Sequence, residues 1–313
     1  MKSFESHQRL LIFLLLVLAL TCVISPWLAV GADWAQSRWP AVFDERVPFS
    51  RVFNRAFMIS GFILFVPCRR YLLRGELKTL LAVDRRSASR NLLTGLGLAG
   101  GSMIGLLTVM AVADVYTPYF RFPLGESLSR FFGGLSAAIF AGFLEEIFFR
   151  GMLFRGLLKE GRVFRAYLLA NVFYSAIHFV KPGERYFLDG IDPLAGFRHL
   201  WTTFAPFLEP LELLPGLFGL FLIGIVLSFA LARTGNLYLA IGLHAGWVLS
   251  LKMVRVFGDF TREELGWAFG STDPKIVSGV ATWIGVLLVG LAVHRLTRQS
   301  PGLSVDPLPA RAA

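Results

Sequence analysis

Two adjacent carboxylates, Glu145 and Glu146, stand just ahead of Arg150 in an otherwise apolar run, Gly142-Phe143-Leu144-Glu145-Glu146-Ile147-Phe148-Phe149-Arg150-Gly151. Ionised groups in such a run are costly unless they are paired or face water, so they ask for a functional reason. On a helix Glu146 and Arg150 are i and i+4 with the acid N-terminal, the orientation that favours an ion pair. Glu145 points about 100° away and has Phe148 and Phe149 at i+3 and i+4, so its partners must come from other helices. That makes it the candidate for general-base chemistry. Two histidines, His178 and His244, lie in other apolar runs. Glu145, His178 and His244 are the ligand types of a catalytic site holding one divalent metal ion such as zinc, with an open position for water. They equally suit a metal-free site in which Glu145 activates water and a histidine supports the oxyanion. No H-E-x-x-H occurs, which excludes a zincin-type site.

The elements that position these residues follow from composition. Of the 313 residues 55% are hydrophobic and 17% charged, and mean hydropathy is +0.62. Soluble domains carry about 25% charged residues, so this is a polytopic membrane protein whose partner is the lipid bilayer. The net charge of +10 sits in short loops between apolar runs, which positive-inside topology explains and which argues against nucleic acid. The two cysteines, Cys22 and Cys68, read as packing residues, with no disulfide framework.

Eight helices are expected. The first covers Leu10 to Val30 and is ended by Pro26 and Trp27; the second covers about Phe53 to Pro67. Arg69, Arg70, Arg74, Lys78, Arg85, Arg86 and Arg90, against Glu76 and Asp84, make the following loop cytoplasmic. The third helix, about Leu92 to Val115, formally contains G-x-G-x-x-G at Gly95, Gly97 and Gly100, but no strand precedes it and the dinucleotide reading fails. Gly97, Gly101 and Gly105 instead form a small-xxx-small stripe for close helix packing. The fourth helix starts near Phe131. If it runs to about Leu158 the glutamates fall near its middle, and if it ends at Arg150 they lie near the cytoplasmic interface. Arg155, Lys159, Arg162 and Arg165 mark a second cytoplasmic turn.

The fifth helix, about Val163 to Val180, carries Asn171, Tyr174 and His178. The connection Lys181 to Pro215, with Glu184, Asp189, Asp192, Glu209 and Glu212, is expected outside the cytoplasm, and its length suits a lid or binding segment. Helices six, Leu217 to Ala232, and seven, Leu237 to about Val254, are joined through Arg233-Thr234-Gly235-Asn236, and His244 is in the seventh. A polar loop to Lys275 precedes an eighth helix, about Ile276 to Leu296. Arg295, Arg298 and Arg311 place the C-terminus inside, with a flexible tail after Ser300.

Glu145-Glu146-x-x-x-Arg150, then His178, then Thr234-Gly235-Asn236-Leu237 leading to His244, resembles the CPBP family of intramembrane proteases. That family includes type II CAAX prenyl endopeptidases and bacterial Abi, or bacteriocin-immunity, proteins. The resemblance covers about Leu128 to Val254. It implies that Glu145 activates the attacking water, that Glu146 and Arg150 support the site, and that His178 and His244 position water or metal and stabilise the oxyanion. Two positions depart from the family pattern. Tyr174 replaces the usual Phe four residues before the second-motif histidine, and Val248 replaces the usual Asn or Asp four residues after the last one. Asn171, on the face of His178, either substitutes for the missing polar group or packs between helices.

The expected protein is thus an all-α polytopic transmembrane helix bundle of about eight helices in the cell (inner) membrane, with both termini cytoplasmic. N-terminal helices and a basic loop occupy 1–127, a protease core 128–254, and a loop, last helix and tail 255–313. Its expected activity is hydrolysis of a peptide bond in a membrane-associated protein or peptide substrate. A non-catalytic membrane binding or sorting protein is the alternative, and Val248 is its argument. A proton-coupled transporter lacks a repeated broken-helix pattern. A rhomboid-type serine site at Gly134-Leu135-Ser136-Ala137 lacks its second glycine, which leaves Ser136 as a packing residue.

Overall fold

A computed structural model describes residues 6–40, 45–73, 80–158, 163–180, 186–262, 264–270, 276–300 and 302–303. Arg74, Glu76, Lys78, Lys159, Arg162, Lys181, Glu184, Lys275 and Arg311, each used in reading the loops and tail, lie outside the described residues. The protein is an all-α polytopic helix bundle and a multi-pass membrane protein. The eight apolar runs become α1 (Ser6–Arg38), α2 (Phe49–Leu73), α3 (Arg85–Val112), α4 (Leu124–Leu158) and α5 (Val163–Ile177), then α7 (Pro210–Thr234), α8 (Tyr238–Val254) and α10 (Val280–Leu296). A short α6 (Ala195–Thr202) precedes α7, and a one-turn α9 (Gly266–Phe269) precedes α10. By length and composition, α1, α2, α3, α4 and α7 reach across a bilayer, whereas α5, α8 and α10 are shorter apolar helices of 15, 17 and 17 residues.

Two proline readings are corrected. Pro26 does not end α1, which continues to Arg38, and Pro215 lies inside α7, which starts at Pro210. Proline removes one i to i−4 hydrogen bond, so Pro26 leaves the Cys22 carbonyl without its helical donor. Gly196 of α6 packs directly against that carbonyl, where any Cβ would collide. A neighbouring element thus covers the break, as proline in membrane helices requires. Pro210 opens α7 at a position where a missing N–H costs nothing.

The chain divides into two compact units. The first comprises Met1–Arg74 and Ile177–Leu213. Cys22 and Ala29 of α1, Phe49, Val52 and Phe53 of α2, and Ala195 of α6 form its core. Arg46 binds Asp33 at 2.8 Å and Asp189 at 2.8 Å and donates to the Leu188 carbonyl at 2.6 Å, and both aspartates push its pKa further up. The long connection therefore has its own helix and is tied down by an arginine. His199 of α6 is buried among the rings of Phe53 (4.8 Å between centroids), Phe49 (5.4 Å) and Tyr186 (5.7 Å). Neither of its ring nitrogens has a hydrogen-bond partner among the described residues, and burial pushes its pKa below the ordinary histidine value.

The second unit comprises Gly75–Ala176 and Leu214–Ala313. Asp84 caps α3 by accepting from Ser87 N at 3.0 Å, and the Ser87 hydrogen bonds hold its carboxyl below the usual range. The glycine stripe expected to pack, Gly97, Gly101 and Gly105, has nothing within contact distance of its absent side chains. The buried face of α3 is Gly95, Ala99, Met103 and Met110. A Cβ on Gly95 would stand 2.5 Å from the Leu239 carbonyl oxygen of α8, and one on Gly246 would stand 2.6 Å from the Ala99 Cβ. Small residues on α8 thus meet a small face two residues out of phase with the predicted stripe. Ser136, expected to pack, is exposed on α4.

A two-stranded antiparallel ribbon, β1 (Tyr116–Pro118) with β2 (Gly258–Phe260), joins the ends of α3 and α8 in the register Tyr116↔Phe260 and Thr117↔Asp259. The Tyr116 hydroxyl donates to the Val254 carbonyl at 2.7 Å. After β1 the pairing continues as Tyr119 N to Phe257 O at 3.0 Å, which leads into α4. At the other end of α8, Leu303 N donates to the Ala232 carbonyl of α7 at 2.9 Å.

Candidate active site

Of the two readings of the fourth helix the long one holds: α4 is 35 residues with both glutamates inside it. It departs from α geometry at Ala141–Glu145 and Ile147–Phe154, which are π-helical. Such i to i+5 turns are rare and concentrate at functional sites. Gly142 brings this stretch onto α8, because a Cβ there would lie 2.9 Å from the Ala245 Cβ and 3.1 Å from the Ile241 carbonyl oxygen. Farther along, a Cβ on Gly134 would lie 3.2 Å from Lys252 Cβ. Ascending residue numbers on α4 thus face descending numbers on α8, so the two helices are antiparallel and His244 comes level with the carboxylates.

Glu146 and Arg150 are 0% and 1% exposed, and Glu146 Oε1 accepts from Arg150 Nη1 at 2.9 Å. The same Oε1 lies 2.7 Å from His244 Nδ1. An ionised carboxylate only accepts, so the short contact assigns a hydrogen to Nδ1 of His244. The other ring nitrogen, Nε2, then turns toward Glu145, whose Oε2 is 3.8 Å away. Glu145 is the open member of the pair, with its side chain 35% exposed.

Arg150 is held on its other sides too. Its guanidinium lies 4.2 Å over the Tyr174 ring of α5, and Nη2 reaches the Gly224 carbonyl of α7 at 3.4 Å. Tyr174 is buried, and its ring meets those of His244 at 6.1 Å and Phe149 at 5.1 Å, both edge-on. Asn171 is committed elsewhere: Nδ2 donates to the Tyr167 carbonyl at 2.7 Å and Oδ1 accepts from Ser228 Oγ at 3.0 Å, which joins α5 to α7. Val248 is half-buried one turn beyond His244.

The second unit therefore brings together Glu145, Glu146, Arg150 and His244. His178 belongs to the first unit, half-buried in the turn that follows α5. The short Glu146 to His244 contact was not foreseen, because helical spacing speaks only for partners on one helix. Tyr174 and Gly224 as the seats of Arg150 were likewise missed; a buried arginine needs such neighbours, but its own segment does not name them.

A histidine with one nitrogen on a carboxylate and the other turned to a second donor is how metal ligands are commonly braced. Among the described residues, however, no group of three or more His, Cys, Asp or Glu side chains is placed to hold a metal ion. Catalytic zinc takes three protein ligands, so the pair Glu145 and His244 in this unit is one short.

Comparison with curated proteins finds no match, and neither does comparison with solved structures. The family evidence comes from the stretch that holds all the expected site residues. Residues 127–250 match the family model described as type II CAAX prenyl endopeptidase Rce1-like, which supports a CAAX-type intramembrane endopeptidase in general and agrees with the resemblance to CPBP proteases.

Proposed function

We propose that the protein hydrolyses a peptide bond of a membrane-associated substrate with water activated by Glu145. The observation that carries this is the division of labour around His244. Glu146, tied to Arg150, takes Nδ1, which leaves Nε2 and the Glu145 carboxylate 3.8 Å apart. Two acceptors at that separation can each receive one hydrogen of a single water, whose oxygen lone pair is then free to attack. Attack forms the C–O bond as Glu145 takes a proton. The tetrahedral oxyanion collapses with cleavage of the C–N bond, and Glu145 returns the proton to the leaving amine. Glu146 and Arg150 fix the tautomer and aim of His244, and His178 is assigned to the oxyanion by its place in the family pattern.

The test is cleavage of a membrane-anchored reporter peptide, prenylated and unprenylated, by purified protein. Glu145→Gln and His178→Ala should each retain the wild-type melting transition and lose cleavage; His244→Ala should lose cleavage and, because it takes a buried hydrogen bond from Glu146, melt lower while staying folded. Folded variants that cleave at the wild-type rate would overturn the reading. Adding a chelator should leave the wild-type rate unchanged, whereas loss of activity restored by zinc would replace the metal-free step. Binding of the reporter without cleavage by wild type would favour the non-catalytic alternative. The membrane is assigned as the cell (inner) membrane with both termini cytoplasmic, on the placement of the basic residues, and reporter fusions to each terminus check it.

A further inference from the structure

At the ribbon end of the second unit, between the start of α4 and the end of α8, is a cavity of about 610 Å³ lined by Arg121, Arg130, Lys252 and Arg255. Two acids neutralise part of this charge: Glu126 pairs with Arg130 at 2.7 Å and Asp259 with Arg121 at 3.3 Å. Lys252 and Arg255 have no ion pair among the described residues, and the Nε of Arg255 is buried without a hydrogen-bond partner. Four cations against two acids leave an excess of two positive charges facing one hollow.

Its walls are shaped as well as charged. Phe122 lies under the guanidinium of Arg130 at 3.9 Å and of Arg121 at 5.6 Å, which holds both planes over one ring. Gly133, Gly134 and Ala137 supply the α4 wall and leave the space open. Beside it, Phe120, Leu124 and Phe132 are 78%, 76% and 60% exposed. An anionic hollow-filler with apolar chains attached would satisfy both surfaces at once.

Topology does not account for these cations. Arg85, Arg90, Arg155, Arg233 and Arg295 sit at or near the opposite ends of α3, α4, α7 and α10, and positive-inside placement is already satisfied there. A second basic cluster at the other end needs its own reason.

We propose that this cavity binds the phosphate of an anionic phospholipid, with the acyl chains along the exposed apolar side chains of α4. Basic pockets between membrane helices have this chemistry, and each basic residue near a headgroup contributes a few-fold in affinity. The proposal stands apart from the peptidase reading, since it is measured without cleavage.

The test is retention of dioleoyl-phosphatidylglycerol against dioleoyl-phosphatidylcholine by the purified full chain, followed by native mass spectrometry. Wild type should prefer phosphatidylglycerol, and Lys252→Gln with Arg255→Gln should weaken that lipid roughly 25-fold, at about fivefold per charge removed, with phosphatidylcholine unchanged. Equal retention by a folded double variant would overturn the proposal. So would full displacement of the lipid by millimolar inorganic phosphate, which marks a site for the free ion. Displacement by a peptide with a free C-terminal carboxylate, but not by its amide, would make the cavity a peptide subsite instead and also overturn it. Should the double variant lose its melting transition, Arg130→Gln on the facing wall decides in the same way, by weakened or equal phosphatidylglycerol retention.

Discussion

Glu146 Oε1 and His244 Nδ1 stand 2.7 Å apart across two antiparallel helices, and Arg150 Nη1 meets the same oxygen at 2.9 Å. One buried carboxylate oxygen therefore serves as the common acceptor for a cation and an imidazole. This separates the neighbouring acids by consequence of loss. Glu145→Gln should abolish cleavage and leave the melting temperature within a few degrees of wild type. Glu146→Gln should lower both, because it loosens Arg150 and His244 together. Cleavage rates and unfolding curves on the same preparations check the contrast.

Removing Arg150 leaves Glu146 charged and buried. Arg150→Ala should destabilise by about 3–5 kcal/mol, whereas Arg150→Met combined with Glu146→Gln should recover part of that loss, since a buried pair replaced as a whole costs less than one broken. Denaturation by a graded detergent mixture reads both.

Glycine positions give a steric prediction with its own control. At Gly142 an added Cβ would lie 2.9 Å from Ala245 Cβ, so Gly142→Ala must push α4 from α8 and should cost about 1–3 kcal/mol along with most of the activity. Gly97 faces open space, so Gly97→Ala should be neutral or stabilise by up to about 1 kcal/mol. Melting temperatures of the two single variants decide it.

His199 predicts how stability varies with acid. Its folded pKa is depressed by burial, so the unfolded chain binds the extra proton first as pH falls. The contribution is fully present above the ordinary histidine pKa of about 6.5 and is lost progressively as pH drops below it toward the folded value. His199→Phe, which suits the cage of Phe49, Phe53 and Tyr186, should remove that part of the acid sensitivity. Melting temperature measured from neutral pH to about pH 5 for both proteins tests it.

What could be read before the structure was known followed from range along the chain. Apolar runs bounded by basic or polar loops give the eight principal helices, and i,i+4 spacing gives Glu146 with Arg150, because both signals are local. The His244 contact with Glu146 depends on how two distant helices are phased, and neither helix records that alone. The same holds for the glycines: Gly95 and Gly97 are equivalent as residues, and only the small face of α8 selects Gly95. Three-residue strands are too short for a period-two pattern, so the ribbon left no trace. Pro26 misled because α6, whose Gly196 covers its break, is remote in sequence.

The ribbon sets a length standard for the interior. Its pairing ties the exit of α3 to the exit of α8, and the backbone bonds of Tyr119 and Arg121 carry the tie to the entrance of α4. A slip of two residues in that pairing would displace the exit of α8 against the exit of α3 by about 7 Å, more than the rise of one helical turn. A shift of that size would take His244 Nδ1 out of hydrogen-bond reach of Glu146 Oε1, now 2.7 Å away. Six paired residues far from the carboxylates thus act as the gauge that keeps an imidazole opposite them.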